Sequence, residues 1–432
     1  MKARDARVGR TGDDRPAIDG GTPVRAAPFP PRRLLGPEEK AAAAAVFDEA
    51  IESGEAFGYG GPRERAYERE FAESLGGGFA KAVNSGTSAV LAALAALEPA
   101  CGSEVVVPPI SDPGGVMPVA MLNCVPVPAD ADGRGFNAGP EQVAAAVTER
   151  TRAIVVAHIM GEPADMAGIG EVARARGLPV VEDAAQAHGA TLDGRPVGTF
   201  GDIAAFSTMS GKHYATGAQG GMVFTRDESL YWKARRFMDR GKPFGPPSGP
   251  LAVGETSNVR LGLNLNSDEL AAAIGRVQLA RLPEIVRRRR EVAAGVAAGI
   301  AGLGAVAPGE LVAGAEASYW RLRLRVRAEA LRVDKDGFAA AVAAEGIPVM
   351  ASYRHLPSEQ AWFRERRTYG SGGCPWTCPH YAGPREASHA LPNALAAVDA
   401  CFLLAIHERW TEREVADAAA ALAKVERAYR TG

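Results

Sequence analysis

The sequence has little cysteine, little excess charge of either sign and no long apolar run, and each shortage excludes a class of protein. Five scattered cysteines in 432 residues are too few for a disulfide framework. No apolar run reaches the roughly 18 residues of a transmembrane helix, and the first residues lack the apolar core of a secretion signal. The net charge of −2 favours neither nucleic acid nor an anionic membrane. These features favour a cytoplasmic enzyme without nucleic-acid or membrane partners.

Metal-binding residues are also sparse. Cys374, Cys378 and His380 lie close together in the chain, so a metal site there is conceivable. A structural zinc site needs four ligands, however, and no second Cys/His pair follows at finger-like spacing. We therefore predict no metal site.

The length of the chain predicts two domains, because 432 residues exceed what one hydrophobic core usually serves. Residues 1–16 are polar and rich in arginine and aspartate, which predicts disorder. Residues 17–62 contain two proline- and glycine-rich clusters and are predicted to form an N-terminal arm. The boundaries that we expect are 63–290 for a large domain and 291–432 for a smaller one.

Short apolar strands alternate with helices in the predicted large domain. The predicted strands are 105–107, 125–127, 153–157, 180–182, 203–206 and 221–224. This alternation predicts an α/β fold with a mostly parallel sheet flanked by helices. A long helix at 268–300, broken at Pro283, leads to the second domain. Its strand-like segment 319–326 and its helices near 335–345 and 411–429 predict an α+β unit.

Lysine is scarce as well, since only eight of the 49 basic residues are lysines. One of them, Lys212, lies in a Ser/Gly-rich segment between two apolar runs. Arginine cannot lose its proton or form an imine, whereas a desolvated lysine can do both. Asp183 closes an earlier strand, where a carboxylate can hold a pyridinium nitrogen. The pair meets the needs of a pyridoxal 5′-phosphate (PLP) site, although the spacing alone fits a surface acid and a surface lysine equally well.

A possible phosphate site lies upstream, where Asn-Ser-Gly-Thr at 84–87 precedes a predicted helix. Backbone N–H groups at a helix N-terminus bind anions, but serine and threonine are also ordinary helix caps. Ser207 lies five residues before Lys212, near enough for its hydroxyl to reach the same phosphate. Ligands in open α/β sheets bind at the carboxyl ends of strands, where all these candidates are predicted to lie.

Taken together, these motifs resemble the DegT/DnrJ/EryC1/StrS group of sugar aminotransferases, within the fold-type I PLP enzymes. The matching stretches occur in the expected order and cover most of the chain. They are 17–25, 67–72, 83–90, 104–109, 153–166, 182–190, 201–207, 212, 220–221 and 261–264. The resemblance implies the fold-type I architecture and PLP as the cofactor.

The resemblance also assigns roles around the ring of the cofactor. Lys212 would hold PLP as a Schiff base and carry the proton. Asp183 would pair with the pyridine nitrogen, and Gln186 would form a hydrogen bond with the phenolic oxygen. His188 lies in the same motif, where we expect a buried histidine that supports the end of the strand.

At the phosphate, the resemblance places Ser207 together with Gly86 and Thr87. Asn264 matches the residue that reaches the phosphate from a neighbouring subunit, which implies a homodimer with shared active sites.

Two positions depart from the family pattern. Asp112 stands where the family usually has an aromatic residue that stacks on the cofactor ring, and Asn266 stands where it usually has arginine or lysine. Losing an aromatic face and a cation changes ring packing and the binding of anionic substrates.

The resemblance implies an aminotransferase that moves an amino group from glutamate or glutamine to a keto-sugar or keto-cyclitol, in secondary-metabolite or sugar biosynthesis. The two departures favour an alternative, a PLP-dependent oxidase, decarboxylase or lyase acting on an amino-acid-like or nucleoside substrate. A third possibility, a cofactor-bound regulatory or scaffolding protein without turnover, conflicts with the intact set of Lys212, Asp183 and Ser207.

Overall fold

A computed structural model describes residues 15–245, 258–370, 372–385 and 389–431. The disorder predicted for residues 1–16 falls almost entirely outside the described residues. The helices in chain order are α1 Pro37–Ser53, α2 Pro62–Ser74, α3 Gly86–Ala96, α4 Met117–Met121, α5 Pro140–Ala146, α6 Met166–Arg176, α7 Glu228–Met238, α8 Glu269–Gly299, α9 Lys335–Ala344, α10 Ala361–Arg364, α11 Pro392–Ala400 and α12 Glu412–Tyr429. The strands are β1 Phe79–Val83, β2 Glu104–Val107, β3 Val125–Pro128, β4 Thr151–Ala157, β5 Val180–Asp183, β6 Thr191–Leu192, β7 Arg195–Pro196, β8 Ile203–Ser207, β9 Gly221–Thr225, β10 Val306–Pro308, β11 Ala315–Glu316, β12 Leu322–Val326, β13 Val349–Met350 and β14 Cys401–Leu404.

A seven-stranded sheet forms the centre of the large unit, in the order β1-β9-β8-β5-β4-β2-β3. Strands β3, β2, β4, β5 and β8 are parallel to their neighbours in this run, whereas β9 is antiparallel to both β8 and β1. Helix α3 is apolar all round and packs against β8 and β9, so it is almost wholly buried. The predicted α/β fold with a mostly parallel sheet is confirmed.

Strand β1 was not predicted from the sequence, because a lysine occupies its centre. Lys81 is buried, and its ammonium group forms ion pairs with Glu64 and, at 2.7 Å, with Glu68 on the preceding helix α2. A buried charge is tolerated when it is paired in this way. The apolar pattern of an ordinary strand is therefore absent, although β1 closes one edge of the sheet.

The smaller unit is built on a four-stranded antiparallel sheet in the order β10-β12-β14-β13. Helices α9 and α12 pack on it, and a core of buried side chains that includes Phe338, Phe402 and Trp410 fills the space between them. The predicted α+β architecture of the C-terminal part is confirmed.

The expected break at Pro283 is wrong, since α8 runs as one helix of 31 residues through this proline. Leu279 is buried before the proline and Ile285 after it, and α8 packs against α1, α2 and α12. This packing on both sides of the proline outweighs its local preference. The predicted domain boundary at 290/291 lies inside α8 and stays a prediction. Neither α8 nor any other helix in the described ranges has the length and apolarity to cross a membrane.

Candidate active site

A cavity of about 220 Å³ opens where β5 and β8 end and α3 begins. Asp183 is the last residue of β5, Ser207 is the last of β8, and Gly86 is the first of α3. Because these strands are parallel, their carboxyl ends meet at one edge of the sheet. Six of the seven predicted site residues line this cavity: Gly86, Thr87, Asp183, Gln186, Ser207 and Lys212.

The carboxyl group of Asp183 is buried in the cavity wall. Its Oδ1 accepts a hydrogen bond from the Ala185 N–H at 3.1 Å. Gly115 approaches it closely, since a Cβ atom at position 115 would lie 2.6 Å from Asp183 Oδ2. Burial raises the pKa of Asp183, and the Ala185 N–H and the charge of Lys212 oppose that rise. Such a carboxyl group is favourably placed to pair with a cation.

Lys212 lies on the loop after β8 and is also buried. Its Nζ sits 4.5 Å from the centre of the Trp320 ring. Burial lowers the pKa of Lys212, while the negative charges of Asp183 and Asp112 act in the opposite direction. An amine with a lowered pKa is neutral, and therefore nucleophilic, at a lower pH than an exposed lysine.

Arg32, in the N-terminal arm, fixes the backbone of the lysine loop. Its Nη1 donates to the Lys212 carbonyl oxygen at 2.6 Å, and its Nη2 donates to the next carbonyl, that of His213. Its Nε pairs with Glu408 at 2.8 Å. The arm and the C-terminal unit therefore both position the lysine.

Gln186 is held by two hydrogen bonds on the cavity wall. Its Oε1 accepts from the Met160 N–H at 2.9 Å, and its Nε2 donates to the Tyr353 hydroxyl at 2.8 Å. An amide nitrogen has two donors, so Gln186 retains one N–H for a ligand.

The N-terminus of α3 forms the opposite end of the cavity. Ser85 caps the helix, accepting a hydrogen bond from the Ser88 N–H at 3.1 Å. A Cβ atom at position 86 would lie 2.6 Å from Ser207 Cβ, so glycine lets the start of the helix approach the end of β8. Thr87 is exposed on the cavity. This helix end presents backbone N–H groups and its dipole to an anion.

His188 supports the carboxyl end of β8. Its ring is fully buried against Phe206 and Tyr214, and its Nε2 donates to the Ser207 carbonyl oxygen at 2.8 Å. Burial lowers the pKa of His188 to about 4, so the ring is neutral at neutral pH. The ring holds the end of β8 in place, in agreement with the expected supporting position.

Asn264 is the one predicted site residue that does not line the cavity. It is exposed, and its Oδ1 accepts a hydrogen bond from Asn266 Nδ2 at 2.9 Å. Within one chain it therefore contributes nothing to the cavity wall, and its expected reach into a neighbouring subunit stays a prediction.

Asp112, the first departure from the family pattern, has a local structural role. Its Oδ1 accepts a hydrogen bond from the Gly114 N–H at 3.0 Å and caps the short turn at Pro113–Gly115. The exposed carboxylate lines the cavity without stacking on anything there.

Sequence reasoning missed Trp320, Arg321 and Tyr353. Trp320 Nε1 donates to the Gly211 carbonyl oxygen at 2.7 Å, and the centre of its ring lies 4.7 Å from Arg321 Cζ. All three come from the smaller unit, more than a hundred residues after Lys212, and carry no local motif. The only available signal was the predicted strand near 319–326, which marks an element but not a site.

The residues around the cavity fit PLP. A helix N-terminus suits the phosphate, a buried carboxyl group suits the ring nitrogen, and a buried lysine suits the aldehyde. Within the described part of the chain, no three His, Cys, Asp or Glu side chains are arranged to hold a metal ion. Together with the fold, the cavity defines a PLP-dependent enzyme of fold type I.

The chain belongs to the DegT/DnrJ/EryC1/StrS aminotransferase family, whose model matches residues 37–383. It is 34% identical to an L-glutamine:2-deoxy-scyllo-inosose aminotransferase of Streptomyces fradiae, over 82% of this chain and 85% of that protein. It is 32% identical to the enzyme of the same name from Micromonospora echinospora, over 78% of this chain and 81% of that one. The solved aminotransferase from Psychrobacter cryohalolentis superposes with a TM-score of 0.78 at 29% identity, over 91% of this chain and 98% of that one. The protein is thus a PLP-dependent aminotransferase.

Proposed function

We propose that the enzyme transfers an amino group from glutamine or glutamate to the ketone carbon of a cyclitol or a sugar, in secondary-metabolite or sugar biosynthesis. The observation that carries this proposal is the meeting of two buried side chains, Lys212 and Asp183, at one cavity. The two relatives named as acting on 2-deoxy-scyllo-inosose, a cyclitol ketone, support the substrate class.

Each residue of the cavity has a distinct task in this proposal. When bound, PLP supplies an electron sink for the carbon that loses its proton. Lys212 attaches the cofactor and, once freed, carries the proton to and from that carbon. Asp183 pairs with the ring nitrogen, and Gln186 donates its remaining N–H to the phenolic oxygen.

The other end of the cavity would hold the phosphate. The backbone N–H groups of Gly86 and Thr87 and the hydroxyl of Ser207 supply the donors. The Gly86–Ser207 contact holds these donors on one small surface. These groups would hold the cofactor at its phosphate, while Lys212 and Asp183 would hold it at its ring.

Arg321 supplies a cation for the carboxylate of the amino donor. Its Nη1 donates to the Trp320 carbonyl oxygen at 2.9 Å, and its Nε is buried with no hydrogen-bond partner among the described residues. Its Cζ and the Nζ of Lys212 both lie close to the Trp320 ring, at 4.7 and 4.5 Å from its centre, and its positive charge contributes to the lowered pKa of Lys212. Arg321 thus supplies a cation that Asn266, at the family's usual cationic position, does not.

The alternative reaction classes, an oxidase, decarboxylase or lyase, receive no support from the comparisons, because the relatives named above are aminotransferases. Asp112, one of the two residues that favoured this alternative, has a structural role as a turn cap.

We further propose that the enzyme is a cytoplasmic homodimer. The segment around Asn264 exposes large aliphatic side chains, with Leu261 at 87% and Leu263 and Val259 at 44% each. Contiguous exposed apolar side chains mark interaction surfaces. A second copy covering this segment would bring Asn264 towards the partner's phosphate site.

The test is an assay of the PLP-loaded enzyme with glutamine or glutamate and 2-deoxy-scyllo-inosose or a nucleotide-linked keto-sugar. Mass spectrometry should detect the aminated product and the keto acid left by the donor. Lys212→Ala should abolish the product, whereas Lys40→Ala, at an exposed lysine on α1, should not. Oxygen uptake or CO₂ release without aminated product would overturn the proposal in favour of the alternative.

A further inference from the structure

Two cysteines far apart in the sequence meet outside the active site. Cys101 lies in the turn between α3 and β2, and Cys378 lies in residues 361–370 and 372–385, which we name the edge segment. Their Sγ atoms are 3.5 Å apart. Neither residue has a task in the proposed amino transfer, so the contact needs another explanation.

The edge segment is anchored firmly against the β2–β3 edge of the large sheet. Phe363, Trp376 and Tyr381 pack with Cys378 against Val125 of β3. The Tyr381 hydroxyl donates to Glu104 Oε1, on β2, at 3.1 Å. These contacts keep Cys378 beside Cys101 rather than leaving it on a free loop.

Close backbone packing holds the α3–β2 turn against the edge segment beside the two cysteines. A Cβ atom at position 102 would lie 2.7 Å from the carbonyl carbon of His380, so glycine next to Cys101 lets the two backbones touch. Gly102 also has a φ of +79°, which other residues rarely adopt. The close approach of the sulfurs is thus built into the backbone on both sides.

The two thiols differ in character. Hydrogen bonds from the backbone at His380 and Tyr381 and from the neighbouring thiols lower the pKa of Cys378. Cys101 is exposed as a residue, while the partial burial of its thiol, together with the neighbouring Cys378, raises its pKa. The contact thus pairs a buried thiol, Cys378, with an exposed one, Cys101, through which solvent reaches the pair.

We propose that Cys101 and Cys378 form a peroxide-responsive thiol pair that closes into a disulfide and fastens the edge segment to the large unit. The thiolate of one cysteine attacks one oxygen of hydrogen peroxide and the O–O bond breaks, giving a sulfenic acid and hydroxide. The thiol of the other cysteine then attacks that sulfur. The S–S bond forms, the S–O bond breaks, and the oxygen leaves as water with the thiol proton. Two thiols are oxidised, and one peroxide is reduced to two waters.

The test is peptide mapping of the PLP-loaded enzyme after treatment with one equivalent of hydrogen peroxide, without reductant. Cleavage after glutamate and after basic residues separates Cys101 from Cys124, while Cys374 and Cys378 share a peptide. A cross-linked pair lighter by two hydrogens should join the Cys101 peptide to the Cys374/Cys378 peptide. Adding reductant should restore the separate peptides.

Three serine variants assign the bond. Cys101→Ser and Cys378→Ser should each abolish the cross-link, whereas Cys374→Ser should retain it. Thermal midpoints of the reduced variants establish that each is folded. Oxidation should raise the midpoint of the wild type by a few degrees, because closing a long loop restricts the unfolded chain.

Three outcomes would overturn the proposal. They are a bond between Cys374 and Cys378 alone, a cross-link that survives in a folded Cys378→Ser protein, and peroxide-treated enzyme with five free thiols. None of these results depends on the amino-transfer assay, so the thiol pair and the proposed function stand or fall separately.

Discussion

At the scale of single residues, Asp183 gives the sharpest test of the cavity. Asparagine is nearly isosteric, so Asp183→Asn should preserve the close contact with Gly115 and the fold while removing the charge that keeps the ring nitrogen protonated. A charge-assisted hydrogen bond in a dry site is worth a few kcal/mol, so turnover should fall by roughly a hundredfold or more. Turnover and thermal midpoint should be measured on one preparation.

A purely structural role for Asp183 predicts the opposite pattern, with a lowered thermal midpoint and nearly normal activity per folded molecule. Near-normal turnover in a folded Asp183→Asn protein would contradict the assignment to the cofactor ring.

Substitution of Arg321 tests whether this arginine binds the carboxylate of the amino donor. Methionine has a similar length without the charge, so Arg321→Met should raise the KM for glutamine or glutamate by about tenfold or more, because a charged hydrogen bond to a carboxylate is lost. The KM for the keto acceptor should change little. Initial rates with each substrate varied in turn provide the measurement.

Arg325 offers a matched control, since it is exposed on β12, the strand that begins directly after Arg321. Arg325→Met should leave both KM values unchanged. Equal rises for donor and acceptor in Arg321→Met would indicate a general disturbance of the cavity instead of a donor carboxylate site.

Residues that belong to local motifs were predictable from the sequence, and residues that reach the cavity from elsewhere were not. Lys212 and Asp183 stand out because lysine is scarce and because an acid closes a strand. Trp320 contacts Lys212 and Tyr353 contacts Gln186 only through the packing of the smaller unit, which no spacing in the sequence encodes.

At the scale of elements, the junction between β5 and β8 depends on a neutral histidine. The folded-state pKa of His188 is about 4, against 6.5 for an ordinary histidine. The unfolded chain therefore binds more protons in this interval. The stability contributed by the neutral ring is complete above about pH 6.5 and is lost as the pH falls towards 4, by up to ~3 kcal/mol.

Glutamine donates a hydrogen bond without titrating, so His188→Gln should be less sensitive to acid than the wild type. Urea unfolding midpoints at pH 7.5 and pH 4.5 provide the measurement. The wild type should lose more stability than the variant between these two values. Parallel losses would mean that His188 does not take up a proton on unfolding.

Elements with a clear apolar period were predicted close to their observed bounds, and the errors have physical causes. The predicted strand 153–157 lies within β4, whereas β1 was missed because Lys81 is neutralised by carboxylates from another element. The break expected at Pro283 reflects a local rule that the packing of α8 overrides. In both cases a tertiary contact decided what local sequence could not.

At the scale of the whole molecule, the active site joins three parts of the chain. The large unit supplies Asp183 and Lys212, the smaller unit supplies Trp320 over the lysine, and the arm supplies Arg32 beneath it. The order of elements predicted from the sequence placed Asp183 and Lys212 at one edge of the sheet. It could not show that Trp320 and Arg32 lie close to the lysine. A fourth contribution, from Asn264 of a second copy, is the remaining prediction.

The homodimer prediction rests on the exposed aliphatic segment around Asn264. The wild type should elute at about twice the chain mass of 45.1 kDa. Leu261→Asp places a charge where an 87% exposed leucine is expected to be covered, so it should shift the protein towards monomer and weaken PLP retention. Tyr369→Asp, at a residue that is 70% exposed in the edge segment, is the control and should remain dimeric.

Asn264→Ala separates assembly from cofactor binding. Removing one amide takes away a donor to the phosphate but little apolar contact, so the variant should stay dimeric and hold PLP more weakly, by about three- to tenfold for one hydrogen bond. Sizing and cofactor titration on the same sample test both halves. A monomeric wild type with full PLP occupancy would exclude the shared site, and a dimeric Asn264→Ala protein with unchanged PLP affinity would place the phosphate donor elsewhere.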